Sequence, residues 1–195
     1  MEIMIIPIGV DCGIATLLRK YNLRNVALPF DWIVTYNGVA SCFEDSFKDF
    51  IPTADDRINA YDMFFMHDFL YTSEDAVKYR RRIERLCQIL DSSNEPIIFI
   101  RKGHATHQHG AHEGRFDTIT NDLMDVNRLD SLLTTKYRKL NYKIIVLLVC
   151  GHCFDANTLY TSTSKNIEIH NLAMDPIDDA KIETHFCKIF KLTPF

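Results

Sequence analysis

The chain has 195 residues, 47% of them hydrophobic and 25% charged, which suits one domain with a full core. Lys and Arg number 22 against 26 Asp and Glu, and the net charge of −4 argues against a general electrostatic grip on nucleic acid or anionic lipid. Seven Gly, six Pro and 11% aromatic residues exclude a disordered or collagenous chain.

The opening MEIMIIPIGVDCG has neither the basic start nor the long apolar core of a secretory signal. The apolar run at 144–150 is far short of the ~20 residues that cross a bilayer. A cytoplasmic protein without a membrane or nucleic-acid partner is expected, with its six cysteines reduced.

Residues 3–8 are nearly all apolar, as in a strand buried on both faces. Gly9 and Gly13 mark a tight turn into a helix at 12–21, with Ile14, Leu17, Leu18 and Tyr21 at helical spacing. Residues 25–32 contain Pro29 and read as extended. A helix is predicted over 38–50, a second strand over 63–70, and the best helix over 73–90, with Val77, Ile83, Leu86, Cys87 and Leu90 as its buried stripe. Residues 96–101 and 142–149 are core strands rich in Ile and Val, separated by a His-rich loop and a helix at about 120–140. A short strand at 166–170 and a helix at 178–190 close a single α/β domain over 1–195.

Strands alternating with helices favour a three-layer sandwich around a mostly parallel open sheet. Such sheets carry ligands at the carboxyl ends of their strands, where Cys12, the segment after Arg101 and the segment after Cys150 all fall, with His67 near the end of its own run. A cysteine at a helix start feels the helix dipole and unpaired N–H groups, which favour the thiolate and could also hold an oxyanion. With a histidine as base, this arrangement suits acyl transfer. The same cysteine also fits a small residue packed under the turn.

The string PIGVDCGIATLLRKYNLRNVALPFDWIVT resembles the opening signature of the papain-like cysteine peptidase family found in bacteria and large DNA viruses: a strand, a Gly, a Cys, a helix and then Pro29-Phe30-Asp31-Trp32. SFKDFIP at 46–52, FMHDF at 65–69, KYRRRIERL at 78–86 and PIIFIR follow in the same order. The resemblance implies Cys12 as nucleophile and His67 as general base, with Asp31 or Asp68 orienting the imidazole. It also implies Gly13, Trp32 and Arg101 as substrate contacts. Val10 and Asp11 stand where small polar residues are usual. The resemblance further implies a peptide or small acyl substrate, no metal or cofactor, and, for a viral chain, the host cytoplasm and a host protein partner.

A strand running straight into the cysteine turn is also similar to the layout of flavodoxin-like and SGNH-type hydrolase folds, whereas a papain-like α+β fold is the alternative. In an SGNH-like layout the base comes from near the C-terminus, which makes His185 the rival to His67.

Other constellations point elsewhere. Cys150-Gly-His-Cys153 after a strand is the spacing of a redox dithiol, but only 42 residues follow Cys153, too few to complete a thioredoxin-like domain. His104, His107, His109 and His112 match no helical or zinc-finger ligand spacing and read as a solvated loop. Arg80, Arg81, Arg82 and Arg85 interleave with Glu84 and read as a solvated helix face. Trp32 and the phenylalanines are by default core. Three functions are therefore carried forward: a thiol hydrolase acting through Cys12, a silent interaction protein on the same fold, and a thiol redox protein.

Overall fold

The computed structural model describes residues 3–52, 57–68, 73–104, 122–149, 159–172 and 177–194. In chain order the elements are β1 (Met4–Pro7), α1 (Gly13–Lys20), α2 (Val39–Glu44), α3 (Ser73–Ser92), β2 (Ile97–Gly103), α4 (Asp122–Lys136), β3 (Tyr142–Val149), β4 (Ile167–Leu172) and α5 (Asp179–Phe190). The four strands form one open sheet in the order β1-β2-β3-β4, every pair parallel. Ile6 lies beside Phe99, Phe99 beside Ile144 and Ile144 beside Ile167, so one apolar row crosses the whole sheet.

Because successive strand residues point to opposite faces, near-continuous apolar strands need cover on both sides. Ile6, Phe99, Ile144, Val146 and Leu148 share one cluster with Val39 and Phe43 of α2, Tyr79 and Leu86 of α3, and Val126 and Leu129 of α4. Ile5, Ile100, Ile145, Leu147 and Val149 share the other with Ile14 and Leu18 of α1 and Ile182 and Phe186 of α5. The molecule is thus an α/β structure whose helices pack against both faces of a parallel sheet.

Four predicted elements differ from what forms, the extended reading of 25–32 among them. Residues 63–68 do not join the sheet; Phe64 makes isolated antiparallel bridges with Val34 and Ile58. Met63 and Phe65 instead drop into the core under α2 and α3, so burial rather than ladder pairing accounts for this apolar run. The predicted helix at 38–50 stops after Glu44, because Ser46 and Phe47 take positive φ and the Phe47 N–H turns back to donate to the Cys42 carbonyl at 2.8 Å. In α3, Val77 is 56% exposed, and Tyr79 takes its place in the stripe with Ile83, Leu86, Cys87 and Leu90.

The Pro29-Phe30-Asp31-Trp32 segment, expected to be extended, forms a turn in which Pro29, Phe30 and Asp31 are buried in succession. Phe30 is fully buried and packs against Phe43, stacked at 6.2 Å, and edge-on to Phe50 at 5.8 Å. Asp31 is buried, and Trp32 is half-exposed rather than core.

Candidate active site

The turn that carries Cys12 is held by backbone pairing beyond the end of β1. Ile8 N–H donates to the Ile100 carbonyl at 2.9 Å, Lys102 N–H to Gly9 at 3.1 Å and Val10 N–H to Lys102 at 2.8 Å. Thr35 N–H then donates to Val10 at 2.7 Å, so the 34–36 segment braces the same turn from its other side. Gly9 is required there: its φ is +108°, and a Cβ would lie 2.7 Å from Arg101 Nη1 and 3.0 Å from the Thr35 carbonyl oxygen.

Cys12 is the N-cap of α1, and its carbonyl accepts the first intrahelical bond from Thr16 N–H at 2.9 Å. The side chain that caps the helix is that of Asp11. Its Oδ1 accepts from Gly13 N–H at 2.8 Å, and its Oδ2 pairs with Lys102 Nζ at 2.5 Å. Gly13, expected as a substrate contact, therefore has its N–H engaged by Asp11. Helix geometry leaves the Ile14 and Ala15 N–H groups without an intrahelical acceptor.

Cys12 is half-buried and opens onto a cleft of about 680 Å³ that also exposes Asp11, Gly13, Lys102 and Met66. Its thiol is pushed above the ordinary value, first by burial and then by Asp11, while the backbone and Lys102 pull it down. The thiolate expected from the helix start is thus opposed here by burial and then by the neighbouring Asp11 carboxylate. Cys42 and Cys187 are buried and Cys87 is half-buried.

His67 is an exposed side chain whose ring stands edge-on to Trp32, 6.1 Å between centroids, while the adjacent Met66 forms part of the cleft wall. Asp31 does not spend its carboxylate on the imidazole. Oδ2 accepts from Arg24 and from Leu28 N–H at 3.0 Å, and burial pushes the group upward against the pull of Arg24. Asp68 is committed to Lys78 and to the Tyr79 hydroxyl at 2.7 Å. What Asp31 does fix is the segment leading to Trp32, whose ring is also flanked by Arg19 at 5.5 Å and Arg24 at 5.8 Å.

Arg101, expected at the substrate, is instead internal. It is 0% exposed, donates to the carbonyls of Ile8 at 2.6 Å, Tyr36 at 2.7 Å and Thr35 at 3.1 Å, and pairs with the equally buried Asp122. Strand alternation explains the exchange of roles: Arg101 points to the α4 face, and Lys102, the next residue, points into the cleft. Asp11 and Lys102 are two cleft residues to which sequence reasoning assigned no role. Their signal was position, since both stand at the carboxyl ends of adjacent parallel strands.

His185 lies on the far flank of α5. Its Nε2 is 2.9 Å from Nδ1 of His170 on β4, whereas Glu183 of the same helix reaches toward α1, pairing with Lys20 at 2.6 Å. The rival base therefore faces β4 rather than Cys12. His107, His109, His112, Cys150 and Cys153 lie outside the described residues. Among the described residues no group of three or more His, Cys, Asp or Glu side chains is arranged to hold a metal ion, and no helix is long and apolar enough to cross a membrane.

No curated protein and no solved structure matches the chain. A family model does, over residues 3–58 and 57–153, a span that contains the Cys12 turn, the Pro29–Trp32 segment, His67 and Lys102. With that match covering most of its length, the chain belongs to the family described as putative papain-like cysteine peptidase (DUF1796).

Proposed function

We propose that the chain is a cysteine-dependent hydrolase in which Cys12 attacks a carbonyl carbon and His67 takes the thiol proton. The observation that carries this reading is Cys12 itself, half-buried at the start of α1 and open to a cleft at the carboxyl end of the sheet. Family membership supports a peptide substrate; the chemistry extends to small acyl esters.

Burial and Asp11 keep the proton on the sulfur, so the base acts during attack rather than before it. As the S–C bond forms, the carbonyl electron pair moves onto oxygen, at the positive end of the α1 dipole. Collapse of this adduct breaks the bond to the leaving group, which takes the proton back from the imidazolium. Water then attacks the thioester, with the neutral imidazole accepting a proton, and frees the acid and the thiol. Trp32 positions His67 through its edge-on contact, and Asp31 and Arg24 position Trp32. Gly13 lines the cleft, and Lys102 balances the charge of Asp11 there.

A panel of fluorogenic peptides and nitrophenyl esters, read with Cys12→Ala and with mass trapping of the acyl adduct, tests the assignment. Turnover lost in the variant and an adduct on Cys12 are expected. Turnover that survives Cys12→Ala, or an adduct elsewhere, overturns it.

A further inference from the structure

The cleft has more to it than the sulfur at its mouth. It runs from Cys12 along the groove between α1 and α5, with Ile14, Leu17 and Ile182 among the residues that line it. Ile14 and Ile182 are buried and belong to the core cluster on that face of the sheet, so this floor is fixed by packing. Lys20 stands eight residues beyond Cys12, which at about 1.5 Å per residue is roughly 12 Å along the helix axis. There the Glu183 carboxylate pairs with Lys20 at 2.6 Å and accepts the Tyr21 hydroxyl, joining α1 to α5 across the groove.

The charges of the cleft are largely spent on one another. Lys102 is paired with Asp11 at the sulfur end, and Lys20 with Glu183 at the other. Among the described residues the further ionisable group in the lining is Asp179, which is negative and so opposes an anionic chain. An apolar floor between two internally neutralised ends gains most from a hydrocarbon group removed from water.

The geometry points to a substrate whose scissile carbonyl bears an extended, uncharged hydrocarbon group, which lies between α1 and α5 while the carbonyl meets Cys12. This rests on the chemistry proposed for Cys12 and adds the class of group it accepts. A fatty acyl chain and a large apolar side chain on the residue supplying the carbonyl present the same chemistry.

Methyl, butyl and hexyl methanethiosulfonates test the cleft without requiring turnover. The Cys12 thiolate attacks the sulfenyl sulfur, a disulfide forms, the S–S bond to the sulfonyl group breaks, and methanesulfinate leaves. The rate at Cys12, read by mass mapping, is expected to rise with chain length, by at most about fourfold per buried methylene. A carboxyethyl reagent is expected to be slower than a propyl one. Leu17→Gln and Ala180→Trp, one making the floor polar and the other filling the groove, are each expected to lower the hexyl-to-methyl ratio at Cys12 several-fold. A ratio near one in the native chain, or a ratio that neither variant changes, overturns the inference.

The two readings fail separately. A steep chain-length profile without turnover of any ester or peptide contradicts only the hydrolase reading. Turnover of acetyl esters through Cys12 with a flat profile contradicts only the cleft assignment. Octanoyl esters set against N-acetyl-leucyl and N-acetyl-phenylalanyl esters then distinguish the two sources of hydrocarbon: faster octanoyl turnover assigns the groove to an acyl chain, and faster aminoacyl turnover to a side chain.

Discussion

Asp11 and Lys102 form an ion pair of 2.5 Å at the mouth of the cleft, and their charges act on the Cys12 thiol in opposite directions. Asp11 favours the protonated sulfur, and Lys102 the thiolate. Asp11→Asn removes the first influence and frees the second, so the midpoint of the pH–rate profile for alkylation of Cys12 is expected to fall. Lys102→Met is expected to raise it. Since the thiolate reacts, at a fixed pH below the midpoint the Asn variant labels faster and the Met variant more slowly, by about tenfold for each pH unit of displacement. Iodoacetamide labelling across the neutral and alkaline range measures both.

Arg101 holds together three carbonyls and Asp122 in a site without solvent. Arg101→Leu leaves the Asp122 charge buried without its partner and is expected to cost about 3–5 kcal/mol in urea unfolding. Adding Asp122→Leu recovers part of that loss, because no uncompensated charge then remains. A substrate-binding arginine would instead raise KM and leave the unfolding midpoint in place.

Gly9→Ala is expected to destabilise the fold by about 2 kcal/mol or more, since it combines a positive φ with a Cβ 2.7 Å from Arg101 Nη1. The damage lies at the end of β1, so labelling of Cys12 should accelerate in the variant before global unfolding begins. Alkylation rates measured below the denaturant midpoint check this.

Trp32 is the single tryptophan of the chain, and its indole stands 6.1 Å from the His67 ring. Removing the neighbouring ring with His67→Ala is expected to shift the indole emission at a fixed pH, and Asp31→Asn, which disturbs the Arg24 contact that sets the indole, is expected to shift it as well. An emission spectrum in His67→Ala identical to that of the native chain would separate the two residues.

The parallel sheet was legible because the short apolar runs at 3–8, 96–101 and 142–149, rich in Ile and Val and separated by helical stretches, have the pattern of strands covered on both faces. Cys12 at the start of α1 followed from a strand, two glycines and an amphipathic stretch in succession. Arg101 was misassigned because its face depends on which strand residue begins the alternation, and a shift of one position exchanges it with Lys102. Residues 63–68 read as a strand because an apolar run buried by tertiary packing has the same composition as one buried in a ladder. The effect of Asp11 on Cys12 required coordinates, since the dipole argument alone gives the opposite sign.

The most direct test of the account is labelling with limiting iodoacetamide at neutral pH, mapped by mass over all six cysteines, in the native chain and in His67→Ala. The account requires Cys12 to be modified first, and its rate to fall by about a hundredfold or more when the imidazole is removed, the usual scale of general-base assistance. Modification of Cys12 at the same rate in both proteins, or no faster than at the half-buried Cys87, would contradict it.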